Sequence, residues 1–465
     1  MNVCVRFAPS PTGQLHIGGV RTALYNFLFA KNNNGKFLVR IEDTDKHRSK
    51  QEYTDQICNS LSWLGLNWDD ELVFQSLRTE RYKDIIHSLI KQDKAYYCFS
   101  SKDELEEIRK KTGNHRYPGI WRDRSMKEVK IELSKGRPYT IRLRSPNSGY
   151  IIVDDIIYGN IKIMNSELDD FILMRSDGSP VYNLVVPVDD HDMNISHVIR
   201  GEDHISNTPK QILIYNALNW PIPKFAHLPM INGFDGKRLS KRHDATGVHT
   251  YRNEGYQPVA LLNYLAFLGW NPGTEEEIMD LNQLISNFRL EKVNKKSAVF
   301  DRKKLNWISG KHLVVQSSED IFNAVRNIYP EWGRPKDSKY CYSVIDLLKQ
   351  RSKSLDDLIQ QSEYFFYNPE KFMRDGKLNL EENAKLTIIL LRDKLNGLSS
   401  WDNDNIEKEF KILMNDENLT LGQIIKPVRY FICGVMNGPS LYDVMVLLGR
   451  KSCITRLDYA IEFLD

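Results

Sequence analysis

The chain has 465 residues, and its 64 Lys and Arg against 61 Asp and Glu give a net charge of +3. A chain of this length exceeds what one compact core organises, so about two to four domains are expected. Charged residues make up 27% and hydrophobic residues 41% of the chain, without a membrane-length apolar run, which excludes disordered and membrane-embedded classes. The six cysteines form no CxxC pair and no export leader is apparent, so we expect free thiols and a cytoplasmic protein.

Strand-like and helical patterns alternate in the first part of the chain. Val3 to Phe7 and Phe37 to Ile41 are short apolar runs, and the segments 20–30 and 51–64 have helical periodicity. This alternation predicts a parallel sheet with crossover helices.

Short strand-like runs separated by turn residues replace this pattern between residues 95 and 180, which indicates an inserted domain. Val181 to Val188 then predicts a second apolar strand, and the helical segment 209–218 follows it. Beyond Pro258 the chain is predicted to be helical. The expected fold class is α/β, a doubly wound parallel (Rossmann-like) sheet with an inserted α+β domain, followed by all-α C-terminal domains.

Two distant runs together predict a nucleotide site. The run from Arg6 to Gly19 leads from the first strand into a helix, so His16 and two glycines fall at a helix N-terminus, which suits a polyphosphate. The run from Lys237 to Arg242 adds a cluster of cations in a loop, as charge on a leaving pyrophosphate requires.

These runs resemble signatures of the class I aminoacyl-tRNA synthetases, and specifically of bacterial-type glutamyl-tRNA synthetases. His16-Ile17-Gly18-Gly19 resembles the HIGH signature and Arg238-Leu239-Ser240-Lys241-Arg242 resembles the KMSKS signature. Four further runs resemble the family in the same order: Arg40 to Asp45, Trp63 to Leu66, Val188 to His191 and Val198 to His204. The resemblance implies ATP-dependent ligation of L-glutamate to tRNA through a glutamyl-adenylate, with release of AMP and pyrophosphate.

The resemblance also implies a division into domains. The catalytic domain is expected in two halves, 1–94 and 181–242, around an inserted tRNA acceptor-binding domain at 95–180. A helical stem-contact domain at 243–330 and a helical anticodon-binding region at 331–465 are expected to follow.

A glutamate substrate presents two carboxylates and an ammonium, so its site needs arginines for the carboxylates and an acidic group for the amine. Arg6, Glu42 and Arg200 stand at predicted strand ends, where doubly wound folds bind ligands. The resemblance assigns these residues, with Ser10 and Tyr182, to glutamate recognition. Val186 and His204 stand where some relatives have Asn and Trp.

The ATP site implied by the resemblance draws on both signatures. His16 is expected to reach phosphate oxygens, Gly18 to let adenine approach the backbone, and Lys241 to contact pyrophosphate together with Mg²⁺. Gly19 completes the catalytic set, and the ATP-binding residues are expected to be Ser10, His16, Gly18, Arg238, Leu239, Ser240, Lys241 and Arg242.

Basic residues concentrate where tRNA is expected to bind. The segment 109–144 has twelve Lys and Arg against three Asp and Glu, interleaved with aromatic residues, a composition that suits phosphates and unstacked bases. We expect Arg116 and Arg122 to contact tRNA there, and Arg351 to read the third anticodon base. The role of Arg351 predicts a preference for tRNA-Glu, and the resemblance implies a monomer.

Three alternatives remain open at this point. The enzyme could also charge tRNA-Gln, or prefer it. A catalytically silent tRNA-binding protein on the same scaffold is the third, although such a protein would be expected to have lost His16, Lys241 or Arg6, which are all present.

Some relatives carry a cysteine-rich zinc site in the inserted domain. Here Cys98 is followed by Phe99 and Ser100, Trp121 stands where a late cysteine would be needed, and His115 is better interpreted as part of the basic surface. A structural zinc site needs four nitrogen or sulfur ligands, so no zinc and no other protein-held metal is predicted.

Overall fold

The computed structural model describes residues 2–45, 47–113, 116–239, 247–334, 336–368 and 384–464. The chain divides into two compact units, one made of Met1–Thr250 and Leu262–Asp301 and the other of Tyr251–Leu261 and Arg302–Asp465. The strands are β1 (Cys4–Phe7), β2 (Lys36–Ile41), β3 (Val73–Phe74), β4 (Ala95–Cys98), β5 (Thr140–Leu143), β6 (Tyr150–Asp155), β7 (Gly159–Met164), β8 (Ile172–Met174), β9 (His197–Gly201), β10 (Lys224–Leu228), β11 (Ile231–Asn232) and β12 (Ala298–Val299).

The helices run through both units. They are α1 (Ile17–Asn32), α2 (Gln51–Trp63), α3 (Thr79–Lys91), α4 (Lys102–Thr112), α5 (Met126–Ser134), α6 (Tyr182–Asp192), α7 (Thr208–Leu218), α8 (Val248–Asn253), α9 (Pro258–Phe267), α10 (Leu281–Asn287), α11 (Arg302–Val315), α12 (Ser318–Ile328), α13 (Ser338–Leu348), α14 (Leu355–Phe366), α15 (Ala384–Asn396), α16 (Asn403–Asp416), α17 (Leu421–Cys433), α18 (Leu441–Leu448) and α19 (Arg450–Phe463). Within the described residues, no helix has both the length and the apolar character needed to cross a bilayer.

Parallel strands form the centre of the first unit. β1, β2 and β3 pair in parallel, and so do β9, β10 and β6. β9 lies beside β1, where the Ser196 amide donates to the Cys4 carbonyl at 2.9 Å. The near-continuous burial of β1 and β2 is typical of strands covered on both faces, and the predicted parallel α/β arrangement is confirmed.

The segment Val181 to Val188 is not a strand, so that prediction was wrong. Tyr182–Asp192 forms helix α6, which is buried from Leu184 to Asp190 and contains Pro187. A short run rich in β-branched residues has no periodicity that separates a strand from a fully buried helix, and tertiary packing decides between them.

Two antiparallel arrangements occur in the segment predicted as an insertion. β4, β5 and β8 form a small antiparallel sheet of their own. β6 and β7 form a hairpin, and β6 also pairs with β10, where Asp155 lies opposite Phe225. The hairpin therefore extends the sheet that contains β9, while the boundaries at residues 95 and 180 stay a prediction.

The second unit is helical, as the sequence predicted. Its core takes buried residues from α11 through α19, among them Val344, Leu358, Phe410, Phe431 and Leu457. The sequence pattern of these helices is amphipathic because their apolar residues face the core and their polar residues face away from it.

Candidate active site

A cavity of about 1000 Å³ lies in the first unit, at the ends of β1, β2 and β9 and at the start of α1. The predicted ATP and glutamate residues that the structure describes all line this cavity: Arg6, Ser10, His16, Gly18, Gly19, Glu42, Tyr182, Arg200, Arg238 and Leu239. Ser240, Lys241 and Arg242 lie outside the described residues. The structure thus brings the predicted residues together, and their individual roles stay predictions.

Helix α1 begins at the cavity. His16 is its N-cap, and the His16 Nδ1 atom accepts a hydrogen bond from the Gly19 amide at 3.1 Å. Because Nδ1 is the acceptor, a neutral His16 carries its proton on Nε2, which can donate to a phosphate oxygen. Withdrawal from water and the nearby Arg238 guanidinium lower the pKa of His16, which favours this neutral form.

The glycines after His16 leave little room for a side chain. A Cβ atom on Gly19 would lie 2.9 Å from Leu15 Cδ1, and one on Gly18 would lie 3.2 Å from the His16 ring. Glycine at both positions therefore keeps His16 in its capping position and leaves the backbone of the first helical turn open to a ligand.

One wall of the cavity contains a buried network of charges. Arg6 donates from Nε and Nη2 to both Asp190 oxygens, at 2.9 and 3.2 Å. Arg40 donates to Asp190 Oδ1 at 2.6 Å and to Glu42 Oε1 at 3.2 Å, and its Nε lies 3.7 Å from Asp189 Oδ2. Each of the two arginines thus has a carboxylate partner within the protein.

The carboxylates of this wall have different environments. Burial alone would raise the pKa of Asp190, but the guanidinium groups of Arg6 and Arg40 outweigh it and lower that pKa. Burial dominates at Glu42 and raises its pKa, although Arg40 and Arg6 act in the opposite direction. A cationic group bound beside Glu42 would favour its ionised form.

A second wall of the cavity holds Arg200 on β9, the strand beside β1. Arg200 Nε donates to His227 Nε2 at 3.2 Å, and Nη2 donates to Thr208 Oγ1 at 2.8 Å. Nη1 is buried and has no hydrogen-bond partner among the described residues. His227 Nδ1 lies 2.6 Å from Asp155 Oδ2, so β6 takes part in holding this wall.

Arg200 differs from Arg6 and Arg40 in charge balance. It is 5% exposed, and no carboxylate of the described residues forms an ion pair with it. Burial lowers the pKa of Arg200, which is the sign of a cation removed from water without a full counter-charge. A carboxylate bound in the cavity would supply that counter-charge.

Two aromatic side chains complete the wall near Arg200. The Tyr182 hydroxyl lies 2.9 Å from His204 Nδ1, and the two rings are stacked with centroids 5.5 Å apart. Burial, reinforced by Arg200, lowers the pKa of His204 to about 4, so His204 is neutral near pH 7. The two side chains therefore offer polar atoms without adding charge.

The residues predicted to bind tRNA are not among those that line this cavity. Arg116 donates to the Ser166 carbonyl, and Arg122 donates to Asp170 Oδ1 and, at 2.7 Å, to the Ser145 carbonyl. Arg351 is exposed and follows α13 in the second unit. The contacts of Arg122 favour a structural role for it, and the tRNA assignment of all three arginines stays a prediction.

Internal ion pairs neutralise part of the basic segment 109–144. Arg124, Arg137 and Arg144 all have carboxylate partners. Lys127 and Lys130 are exposed on α5, and neither forms an ion pair with another described residue. These two lysines are better placed than Arg122 to contact a polyanion.

Sequence reasoning missed the residues that support the site from behind. Asp190 and Arg40 both lie in runs that resemble the family, but the sequence predicts no role for either. His227 and Asp155 carried no signal, because each lies in a strand among apolar residues and they are 72 positions apart.

Among the described residues, Cys98 is not part of a cluster of side chains that could bind a metal ion. Its Sγ lies 3.3 Å from the Tyr117 hydroxyl, and no group of three or more His, Cys, Asp or Glu side chains in the described ranges could hold a metal ion. His115 lies outside those ranges, and the absence of zinc stays a prediction.

Known proteins match this chain along its whole length. Residues 2–307 match the family described as tRNA synthetases class I (E and Q), catalytic domain, and residues 319–461 match an anticodon binding domain. Glutamate–tRNA ligase 1 of Caldanaerobacter subterraneus subsp. tengcongensis is 40% identical, with 100% of this chain and 98% of that protein covered. Glutamate–tRNA ligase 2 of Caldicellulosiruptor saccharolyticus is 42% identical, with 99% of each covered.

The fold agrees with these matches. The crystal structure of a glutamate tRNA ligase from Elizabethkingia meningosepticum, in complex with its amino acid, has a TM-score of 0.88 and 32% identity, with 100% of both chains covered. The chain therefore belongs to the class I tRNA synthetases of the E and Q group, enzymes that use ATP, and it carries that group's catalytic domain followed by an anticodon-binding domain.

Proposed function

We propose that this chain ligates L-glutamate to tRNA through a glutamyl-adenylate. The observation that carries this proposal is the charge balance of the cavity, in which buried Arg200 has no carboxylate partner within the described part of the chain and Glu42 presents an acidic group. A dicarboxylate with one ammonium complements that arrangement, whereas glutamine would leave one carboxylate position filled by a neutral amide.

The substrate would be held between the two walls of the cavity. Arg200 and Arg6 would receive its carboxylates, and Glu42 would receive its ammonium. Ser10 and Tyr182 would add hydrogen bonds, since both line the same cavity. Arg6 keeps Asp190 as a partner while it does so, which fixes its orientation before the substrate arrives.

ATP would bind at the start of α1, with its phosphates near the first-turn amides and the Nε2 atom of His16. Arg238 lines the cavity, and Lys241 follows it in the same sequence run, so both are assigned to the leaving pyrophosphate. Mg²⁺ bound to the ATP phosphates would neutralise part of the charge.

The chemistry requires positioning and charge stabilisation and no nucleophilic side chain. A substrate carboxylate oxygen attacks the α-phosphorus of ATP, the bond to pyrophosphate breaks, and pyrophosphate leaves with the electron pair. The terminal ribose hydroxyl of tRNA then attacks the activated carbonyl, loses its proton, and AMP leaves. His16, Arg238 and Lys241 would stabilise charge on phosphate oxygens during the first step.

We further propose that the enzyme works as a cytoplasmic monomer and prefers tRNA-Glu to tRNA-Gln. Glutamate and glutamine anticodons differ at the third base, C against G, and arginine donors suit the acceptors of C. Arg351 is exposed in the second unit, as a base-reading side chain must be.

The test is to charge purified tRNA-Glu and tRNA-Gln side by side with glutamate, glutamine and aspartate. Glutamate should be attached to tRNA-Glu, and Lys241→Ala should slow pyrophosphate exchange on the order of a hundredfold. Arg351→Gln should lose the preference between the tRNAs while pyrophosphate exchange persists. Failure to form glutamyl-tRNA would refute the proposal, and equal charging of both tRNAs by the wild type would refute only the role of Arg351.

A further inference from the structure

His227 contacts the Arg200 guanidinium from behind the cavity wall. It lies on β10 and is fully buried, and neither it nor its partner Asp155 lines the cavity. Thr208, at the start of α7, is also buried and supplies the second acceptor to the same guanidinium.

The direction of each hydrogen bond follows from the donor inventory. The Asp155 carboxylate can only accept, so His227 carries a proton on Nδ1, which lies 2.6 Å away. Burial lowers the pKa of His227, although Asp155 acts in the opposite direction, so the ring is neutral. Nε2 of a neutral ring protonated on Nδ1 is an acceptor, and Arg200 Nε donates to it at 3.2 Å.

Asp155 is itself fixed in place. Its Oδ1 accepts from the amides of Ile157 and Tyr158 at 2.9 and 2.8 Å, and its Oδ2 also accepts from the His227 amide at 3.1 Å. The carboxylate therefore cannot rotate away without leaving buried amides unpaired. Because the Asp155 carboxylate is fixed, its hydrogen bond with Nδ1 also fixes the orientation of the His227 imidazole.

Both groups that hold Arg200 are neutral acceptors. An imidazole nitrogen and a hydroxyl oxygen fix the plane of the guanidinium through Nε and Nη2, and no carboxylate in the described ranges forms an ion pair with it. A carboxylate in place of His227 would hold Arg200 equally well, but it would cancel the charge that an anionic substrate needs.

We propose that His227, oriented by Asp155, is a positioning residue that sets the Arg200 guanidinium for the substrate carboxylate without neutralising it. Thr208 has the same role through Nη2. This inference rests on the proposed function, in which Arg200 binds glutamate.

A matched pair of variants separates this role from simple packing. In His227→Gln the side-chain amide oxygen can reach the position of Nε2 and accept from Arg200, whereas in His227→Asn the shorter side chain cannot. Glutamate KM should rise about tenfold in His227→Asn and stay within about threefold of wild type in His227→Gln. ATP KM should be unchanged in both variants.

Thr208 provides a second pair that keeps the imidazole in place, although Thr208 Oγ1 also lies 3.0 Å from His227 Nε2. Thr208→Ser keeps the hydroxyl and should keep the glutamate KM, and Thr208→Val loses the acceptor and should raise the KM. His197, which lies on β9 with Arg200 but does not line the cavity, is the control. His197→Asn and His197→Gln should have equal glutamate KM values.

The outcomes are distinguishable from failure of the proposed function. If the wild type does not activate glutamate, the proposed function fails. If the wild type activates glutamate but each conservative variant behaves like its disruptive partner, or ATP KM rises in parallel with glutamate KM, the positioning role is refuted. Melting temperatures of all variants show whether a KM change reflects unfolding.

Discussion

The two walls of the cavity hold their buried arginines in different ways. On one wall, Arg6 and Arg40 share Asp190, and Arg40 also reaches Glu42. On the other wall, the acceptors that the described residues offer Arg200 are an imidazole and a hydroxyl. All three guanidinium groups are nearly removed from water, so the difference lies in the charge of their partners.

This difference separates arginines whose charge is balanced in the free protein from one whose charge is not. A buried cation with carboxylate partners is satisfied before any ligand arrives, and removal of either partner leaves an uncompensated charge. A buried cation with neutral partners costs stability in the free protein and recovers it when an anion binds. Substitutions on the two walls should therefore affect different measured quantities.

The largest expected effect is on stability, at Arg40. Arg40→Met removes the cation from Asp190 and Glu42 and should lower the free energy of unfolding by about 4 kcal/mol, which denaturant titration measures. Arg81→Met is the control, because Arg81 is half-exposed and pairs with Asp192, so its loss should cost less than about 1 kcal/mol. Similar losses of unfolding free energy in the two variants would mean that burial does not increase the contribution of the Arg40 network to stability.

Arg200→Met should show the opposite behaviour. The free energy of unfolding should stay within about 1 kcal/mol of wild type or rise, because the variant removes a cation that lacks a counter-charge. The kcat/KM for glutamate in pyrophosphate exchange should fall on the order of a hundredfold, because an uncompensated substrate carboxylate would be left in the cavity. A stability loss like that of Arg40→Met, with activity retained, would remove the distinction between the walls.

Strand polarity made part of the site predictable. Arg6, Glu42 and Arg200 were expected near one another because the carboxyl ends of parallel strands meet at one edge. Arg6 lies on β1, Glu42 directly follows β2, and all three residues line one cavity. Arg200 lies on β9, a strand that the sequence did not predict, and the binding roles of the three residues stay predictions. The start of α1 was also predictable. His16 and the glycines follow a strand and a turn and precede a helical pattern, so they were expected at a helix N-terminus.

The partners of these residues were not predictable in the same way. Asp190 lies on α6, most of which was predicted to be a strand. A wrong secondary structure gives the wrong direction for the side chains, so the contacts of Asp190 could not be predicted. His227 and Asp155 meet only because β6 joins β10, a pairing between segments assigned to different domains. Local patterns reveal which residues face a core, but they do not reveal which distant strand lies next to them.

The basic segment 109–144 extends the comparison to the surface. Arg122 is paired with Asp170, whereas Lys127 and Lys130 have no ion-pair partner among the described residues. The double variant Lys127→Glu, Lys130→Glu should raise the tRNA KM about tenfold at low salt, with glutamate and ATP KM values unchanged. Arg122→Gln should instead lower the melting temperature and leave the tRNA KM nearly unchanged. A larger tRNA effect in Arg122→Gln than in the lysine pair would reverse the assignment.

The smallest expected effect concerns the protonation of His16. Withdrawal from water lowers the pKa of His16, and the Arg238 charge lowers it further, while Asp203 raises it. Because the pKa in the folded state is lower than in the unfolded chain, the contribution of His16 to stability is present above the ordinary value of 6.5 and is lost as pH falls below it.

Changing the two charged neighbours should move the His16 titration in opposite directions. Arg238→Gln should shift the midpoint of the His16 ring-proton resonance upward in an NMR titration, and Asp203→Asn should shift it downward, with His16→Gln used to assign the signal. Both shifts should shrink at high ionic strength, because Arg238 is 65% exposed and solvent ions screen its charge. A neutral His16 can accept the Gly19 amide and donate to phosphate at the same time, whereas a protonated one would lose that acceptor and release the helix cap. An unchanged midpoint in Arg238→Gln would show that solvent exclusion alone keeps His16 neutral beside the phosphate site.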